Sequence, residues 1–382
     1  MRTYSDLTKV KTALVTGSAV FWIAIMVIYL QRRGFSLPQI YSLIAVYYGS
    51  VVVLELPTGA IGDHFSHRLA TTCGYLLAAV MFFALGFAGN YWYYAVVLLV
   101  GSLGMTLVSG NDTASLFAAS KDFKRDQSQV KFWVAVMQVT TTALGSVLLR
   151  FSLGLPFWIN GVFLLVASAS MLSVRPLPQE RSSGHPVAVM VRALRYAAGH
   201  RVVRNLLILA GTTGAFFLSV KWFFNPMLQG LGIPLGWWGS LIGLTLIAPL
   251  AGIWLYRQER FTIALWVPVL LFAGLVAFFG VTRIGLVSLV ALYSAMAVYG
   301  YLDTTLSVRL NSAIAVAERA SILSLASLFQ RLGTSIYTPI AGIVLARTSL
   351  ATVMVGTSGL LIILMVPVVI SLRRERFDRM VT

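Results

Sequence analysis

Five ionisable side chains fall inside long apolar stretches of this 382-residue chain: Glu55, Asp112, Asp303, Lys221 and Arg331. A charge inside hydrocarbon is expensive, so each of them reads first as part of a path for a solute or a proton. Three acids against two bases permit buried pairs that hold one conformation and separate in another. A carboxyl released from such a pair can bind a proton near neutral pH. Glu55, Asp112 and Asp303 are therefore the candidates for proton coupling, and Arg331 is their expected partner at the midplane. At a rise of about 1.5 Å per residue, Glu55 lies roughly 12 Å from Asp63 and Arg331 roughly 20 Å from Glu318. Asp112 and Asp303 sit nearer the inner side, Lys221 nearer the outer.

Around these charges stand polar and aromatic residues at positions inside the same stretches: Trp22, Tyr29, Tyr47, Asn111, Gln138, Trp222, Asn225, Tyr299 and Gln330. Rings offer contact area and cation–π attraction, which suits a cavity for a bulky apolar or cationic solute. Most aromatic side chains in a membrane protein serve packing or the interface belt instead, and the sequence alone does not sort them.

The elements that must carry these residues are membrane helices. Of the residues, 58% are hydrophobic and 11% charged, against about 25% charged in a soluble domain. Apolar runs near 11–31, 38–62, 69–89, 91–118, 130–151, 154–174, 203–229, 234–256, 261–282, 284–308, 319–346 and 349–372 predict twelve spans, each close to the 20 or so residues a bilayer requires. Short connections make neighbours antiparallel. The exception is 175–202, with Pro176, Pro178, Gly184 and Pro186 followed by a basic stretch from Met190 to Arg201. It is expected to be a cytoplasmic linker with an amphipathic helix on the inner surface. The expected organisation is a six-helix bundle over 1–174, the linker, and a second bundle over 203–382.

The net charge is +17, and its placement decides what it means. With the amino terminus inside, the inner segments hold 22 of the 29 Lys and Arg residues. That asymmetry is the positive-inside pattern and puts both termini in the cytoplasm of an inner (plasma) membrane protein. Nucleic acid is not needed to explain the charge. The first apolar run is too long for a signal-peptide core, so it is expected to remain as a helix. The lone Cys73 excludes an intrachain disulfide. His64 and His67 lack further ligands nearby, so no metal is expected. Phosphate-binding loops are absent, which argues against ATP and against an enzyme.

The stretch Glu55-Leu-Pro-Thr-Gly-Ala-Ile-Gly-Asp-His-Phe-Ser-His-Arg68 is a tight turn between the second and third spans. A glycine lets helix backbones approach in lipid, and Asp63 can serve free N–H groups at a helix start. With Gly59, Ile61, Asp63 and Arg68 on its pattern, it resembles the signature loop of the major facilitator superfamily, although His64, Ser66 and His67 depart from it. Arg319-Ala-Ser-Ile-Leu-Ser-Leu-Ala-Ser-Leu328 is similar to a motif of drug-exporter-like members. Internal repetition fits: Pro57 and Pro249, Arg68 and Arg260, and Gln138 and Gln330 share an offset of 192, and Asp112-Thr113 and Asp303-Thr304 one of 191.

This resemblance implies an all-α integral membrane protein with two pseudo-symmetric six-helix bundles that rock about a central cavity. In that family Gly59, Asp63 and Arg68 would latch the bundles on the cytoplasmic side. It further implies a monomeric secondary transporter in membrane lipid, exporting small hydrophobic or amphipathic compounds driven by the proton gradient, without any cofactor. Uptake of a nutrient or a lipid-handling or receptor role are the rival readings. The fourth span, Gly101-Ser-Leu-Gly104, lacks the arginine that precedes such glycines in proton antiporters, and the fifth lacks their G-P-x-x-G-G pattern.

Overall fold

The computed structural model describes residues 4–64, 66–176, 186–258, 263–315 and 318–381, with side chains described throughout except at 4, 56–57, 59–64, 186–187, 320 and 373–381. Among these residues all regular structure is α-helical. In chain order the helices are α1 (Tyr4–Gly17), α2 (Met26–Arg32), α3 (Leu37–His64), α4 (His67–Leu85), α5 (Tyr91–Val108), α6 (Asn111–Ala119), α7 (Phe123–Leu148) and α8 (Leu155–Leu172). They continue with α9 (Pro186–Gly199), α10 (Arg201–Trp222), α11 (Phe224–Gly230), α12 (Leu235–Ile247), α13 (Pro249–Arg257), α14 (Trp266–Val281), α15 (Gly285–Ala313), α16 (Arg319–Arg347) and α17 (Leu350–Val381).

Eight described stretches are long and apolar enough to cross a bilayer. Joined where they break, the seventeen helices follow the twelve expected runs, with α9 as the linker helix. Several runs that read as continuous are broken. The first splits between Gly17 and Met26, and the amides of Val20 and Phe21 donate instead to Thr141 Oγ1 at 3.0 Å and Asn160 Oδ1 at 3.1 Å. Side chains of α7 and α8 thus satisfy backbone groups that hydrocarbon could not. The fourth splits at Gly110, whose φ of 82° lies in the left-handed region open to glycine.

Two turns repeat in atomic detail. In Leu30-Gln31-Arg32-Arg33-Gly34-Phe35, the Phe35 amide donates to Leu30 O at 3.1 Å and the Gly34 amide to Gln31 O at 2.9 Å. In Leu228-Gln229-Gly230-Leu231-Gly232-Ile233, the Ile233 amide donates to Leu228 O and the Gly232 amide to Gln229 O, both at 3.1 Å. Both are Schellman caps, with Gly34 and Gly232 at φ 90° and 66°. After the first, Gln39 Oε1 accepts from both the Ser36 amide and Ser36 Oγ at 3.0 Å, which supplies one half of a capping box at the start of α3.

The chain forms two compact units. One comprises Met1–Phe35, Val46–Pro186 and Pro234–Leu246; the other comprises Ser36–Ala45, Val187–Ile233 and Ile247–Thr382. Each therefore includes a helical segment from the other half of the sequence. In the first unit α4 packs against α5 and α8, and α1 against α8. There Ser146 Oγ of α7 accepts from the Gly239 amide at 3.1 Å and donates to Gly236 O at 3.2 Å, fixing α12. In the second unit α14 packs on α17 and α15, α10 on α16 and α17, and α13 on α15. The linker helix belongs to this unit, where Ala193 and Ala197 are buried and Tyr196 Oη accepts from the Ala315 amide at 3.3 Å.

Candidate functional site

Helical periodicity places residues four apart on one face. On α10 such a pair is Phe217 and Lys221, and on α15 it is Tyr299 and Asp303. The second unit brings the two pairs together. Lys221 Nζ lies over the Phe217 ring, 5.2 Å from its centroid. Phe217 stacks on Tyr299 with centroids 3.7 Å apart and planes 6° apart. Tyr299 Oη donates to Asp303 Oδ1 at 3.3 Å. The result is a row of ammonium, ring, ring, phenol and carboxylate across two helices. Phe272 of α14, fully buried, closes on the Tyr299 ring at 5.9 Å and fixes its tilt.

Within this row Tyr299 is 7% exposed, Phe217 and Lys221 are half-buried and Asp303 is exposed. The arrangement can hold a proton on the carboxylate and an anion on the ammonium. Phe217 and Phe272 carry no chemical signal in the sequence, because a phenylalanine at helical spacing reads as packing. The signal for Phe217 was its position one turn before a lysine.

The remaining sequence candidates of the second unit lie close along the chain. The Trp222 carbonyl accepts from Tyr41 Oη at 3.1 Å. Asn225 is 3% exposed and its Oδ1 has no hydrogen-bond partner among the described residues. Gln330 Nε2 donates to Gly214 O at 3.3 Å and ties α16 to α10, and Arg331 beside it is half-buried.

In the first unit several expectations change. Tyr29 is fully buried, its hydroxyl directed at the Leu85 carbonyl and 3.1 Å from Tyr94 Oη, so it packs the core. Asn111 is likewise committed: Nδ2 donates to Leu107 O at 2.9 Å, and Oδ1 lies 2.6 Å from His67 Nδ1. It holds the break at Gly110 to the start of α4. Asp112 is not inside a continuous fourth helix but in the first turn of α6, where Oδ1 accepts from the Thr113 amide at 2.6 Å. A carboxylate is favoured there by the free N–H groups and the helix dipole. Trp22 packs in the broken first span against Phe82, with ring centroids 5.7 Å apart, and Tyr47 packs edge-on to Tyr48. Gln138 and Glu55 are half-buried on α7 and α3.

The signature loop is partly visible. α3 carries Gly59 and Asp63 to its end at His64, but the side chain of Asp63 and the surroundings of Gly59 lie outside the described residues. Arg68 Nη1 donates to the Val174 carbonyl at the end of α8. Glu55 and Arg331 belong to different units. Among the described residues no group of His, Cys, Asp or Glu could hold a metal ion.

Near the membrane boundary, Lys11 Nζ donates to Asp126 Oδ1 at 2.6 Å and to Gln129 Oε1 at 2.8 Å, and Ser120 donates to Asp126 Oδ2. The Lys11 hydrogen bond, then that of Ser120, holds the Asp126 carboxyl below the usual carboxylate range.

A sequence profile described as Major Facilitator Superfamily matches residues 12–338. The chain belongs to this superfamily. It is a transport protein rather than an enzyme. Solved superfamily structures share its fold: the nucleoside transporter NupG with a TM-score of 0.80 at 14% identity, covering 97% of this chain and 99% of that one. A bacterial homolog to the human lysosomal transporter Spinster superposes with a TM-score of 0.77 at 14% identity, over 97% of each chain. A D-xylose-proton symporter gives 0.70 at 13% identity, over 94% of this chain and 97% of that one. At such identities the likeness extends to the fold alone. Comparison with curated protein sequences gave no match.

Proposed function

We propose that this superfamily member is a secondary active transporter working by alternating access, and that it exports small amphipathic organic compounds in exchange for protons. The observation that supports coupling most is the Tyr299–Asp303 hydrogen bond at 3.3 Å beside the stacked Phe217 ring. Ionised, Asp303 accepts from the phenol; protonated, it gains a donor of its own and can turn to another partner. The stacked rings supply the apolar contact such compounds need.

Export is the direction favoured by the likeness of Arg319–Leu328 to exporters. The chain is expected to work as a monomer in the inner membrane, with both termini in the cytoplasm, the proton gradient as energy source and no cofactor. A second reading, uptake of a polar nutrient, is favoured by the neighbours named for nucleosides and for D-xylose and protons.

Growth of a deletion strain across a compound panel tests the solute class. Increased sensitivity supports export, and a nutrient requirement supports uptake. Flux into proteoliposomes with and without an imposed pH gradient tests coupling. Flux indifferent to the gradient contradicts it.

A further inference from the structure

Lys221 presents an ammonium with no counter-ion among the described residues. The ion pairs formed among the described residues, Lys9 with Asp6 and Lys11 with Asp126, belong to the first unit. An ammonium in a spanning segment is costly unless it is paired or drawn out to the interface. Lys221 is not drawn out. It lies nine residues before the end of the span Arg201–Gly230, yet its Nζ turns back one helical turn, over Phe217, away from that end.

The cation–π contact with one phenylalanine face returns only part of what an ammonium loses on leaving water. A second unsatisfied group stands one turn further on: the buried Asn225, whose Oδ1 has no partner. Lys221, without a counter-ion, thus stands beside the apolar slab formed by Phe217 and Tyr299, and Asn225 follows in the first turn of α11. Asp303 is directed to the other side of the slab, where Tyr299 already engages it.

We infer that Lys221 is the anchor for an anionic head group and that the transported solute is an organic anion whose apolar part packs against the edge of the stacked Phe217 and Tyr299 rings. This rests on the transport reading above and narrows its solute class, leaving Asp303 free to carry the proton. It also differs from the cationic solute that aromatic residues alone suggest.

The test uses three probes of one shape and permanent or absent charge: 2-naphthalenesulfonate, (2-naphthylmethyl)trimethylammonium and 2-naphthalenemethanol. Binding to the purified full chain is measured by calorimetry. The sulfonate is expected to bind about tenfold tighter than the alcohol, as one charge-assisted contact allows, and the ammonium weaker than both. Lys221→Met should remove the sulfonate's advantage and leave the alcohol unchanged, which also reports an intact fold; Lys221→Arg should keep the advantage. A wild-type protein that binds sulfonate no tighter than alcohol overturns the inference without recourse to any variant. So does a Lys221→Met protein that still prefers the sulfonate.

Binding requires no flux, so the two readings fail separately. If the sulfonate preference depends on Lys221 but no gradient drives any solute, the site stands and the proton-coupled reading falls. If gradient-driven flux is found and Lys221 is indifferent to the probe's charge, only this inference falls.

Discussion

Tyr299 donates its hydroxyl proton to Oδ1 of Asp303, one turn further along α15, while its ring lies flat on Phe217 of α10. One side chain therefore serves both as packing between two helices and as the hydrogen-bond donor to an exposed carboxylate.

The two roles can be separated. Tyr299→Phe keeps the stacked ring and removes the donor, so thermal stability should change little. Gradient-driven flux should fall by about tenfold, the loss associated with one hydrogen bond to a charged group. A melting curve and a flux assay on the same preparation check both halves.

Tyr41 fixes the end of α10 that carries Lys221. Its hydroxyl donates to the Trp222 carbonyl at 3.1 Å and its ring stacks on Phe223 at 4.8 Å and 19°. Tyr41→Phe should lower stability by about 1 kcal/mol through the hydrogen bond alone. Tyr41→Ala should cost about 3–5 kcal/mol by opening a cavity in a fully buried position. Thermal unfolding of the two variants distinguishes these steps.

Helices α13 and α15 touch through glycines. A Cβ at Gly300 would stand 2.2 Å from Pro249 O, and one at Gly252 would stand 1.8 Å from Ala297 O. Backbone cannot yield as a flexible side chain can, so Gly300→Ala should destabilise by about 1–3 kcal/mol. Gly274 of α14 meets nothing within 4 Å, and Gly274→Ala should leave the melting temperature level or raise it.

Asp126 supplies a pH dependence with a definite sign. Its folded carboxyl is held below the ordinary value of 3.8 by Lys11 and Ser120. Such a group stabilises the fold fully above the unfolded value, and the contribution is lost as pH falls through the folded one. Acid unfolding of the wild type should therefore steepen below 3.8, and Asp126→Asn should be less stable at neutral pH yet lose less between there and acid. Unfolding midpoints measured across that range test the sign.

Much of the architecture was legible because lipid imposes it. The twelve apolar runs follow from length, hydropathy and charge, whereas the stretch after Glu55 that reads as a turn continues α3 as far as His64. The breaks were not legible, because Val20, Phe21 and Gly110 are relieved by partners distant in sequence or by backbone geometry. The clearest internal repeat, Leu30-Gln31 to Phe35 and Leu228-Gln229 to Ile233, has an offset of 198, out of step with the 191 and 192 of the other recurring residues.

For the site, residue type was informative and orientation was not. Lys221, Tyr299 and Asp303 were recognisable one by one as polar groups in apolar runs. Nothing in the sequence joined them, since Phe217, which connects the two helices, is chemically silent. Tyr29 and Asn111 had the same credentials and turned out to satisfy the Leu85 and Leu107 carbonyls. Which face of a helix a residue occupies depends on its neighbours in space.

The central claim, that Asp303 carries the coupling proton, is tested most directly in proteoliposomes containing a pH-sensitive dye and either the wild type or Asp303→Asn. A compound to which the deletion strain has become sensitive is added without a gradient. The wild type should move protons opposite to the compound, and Asp303→Asn should exchange compound across the membrane while the dye stays silent. A dye response of equal size in Asp303→Asn contradicts the account.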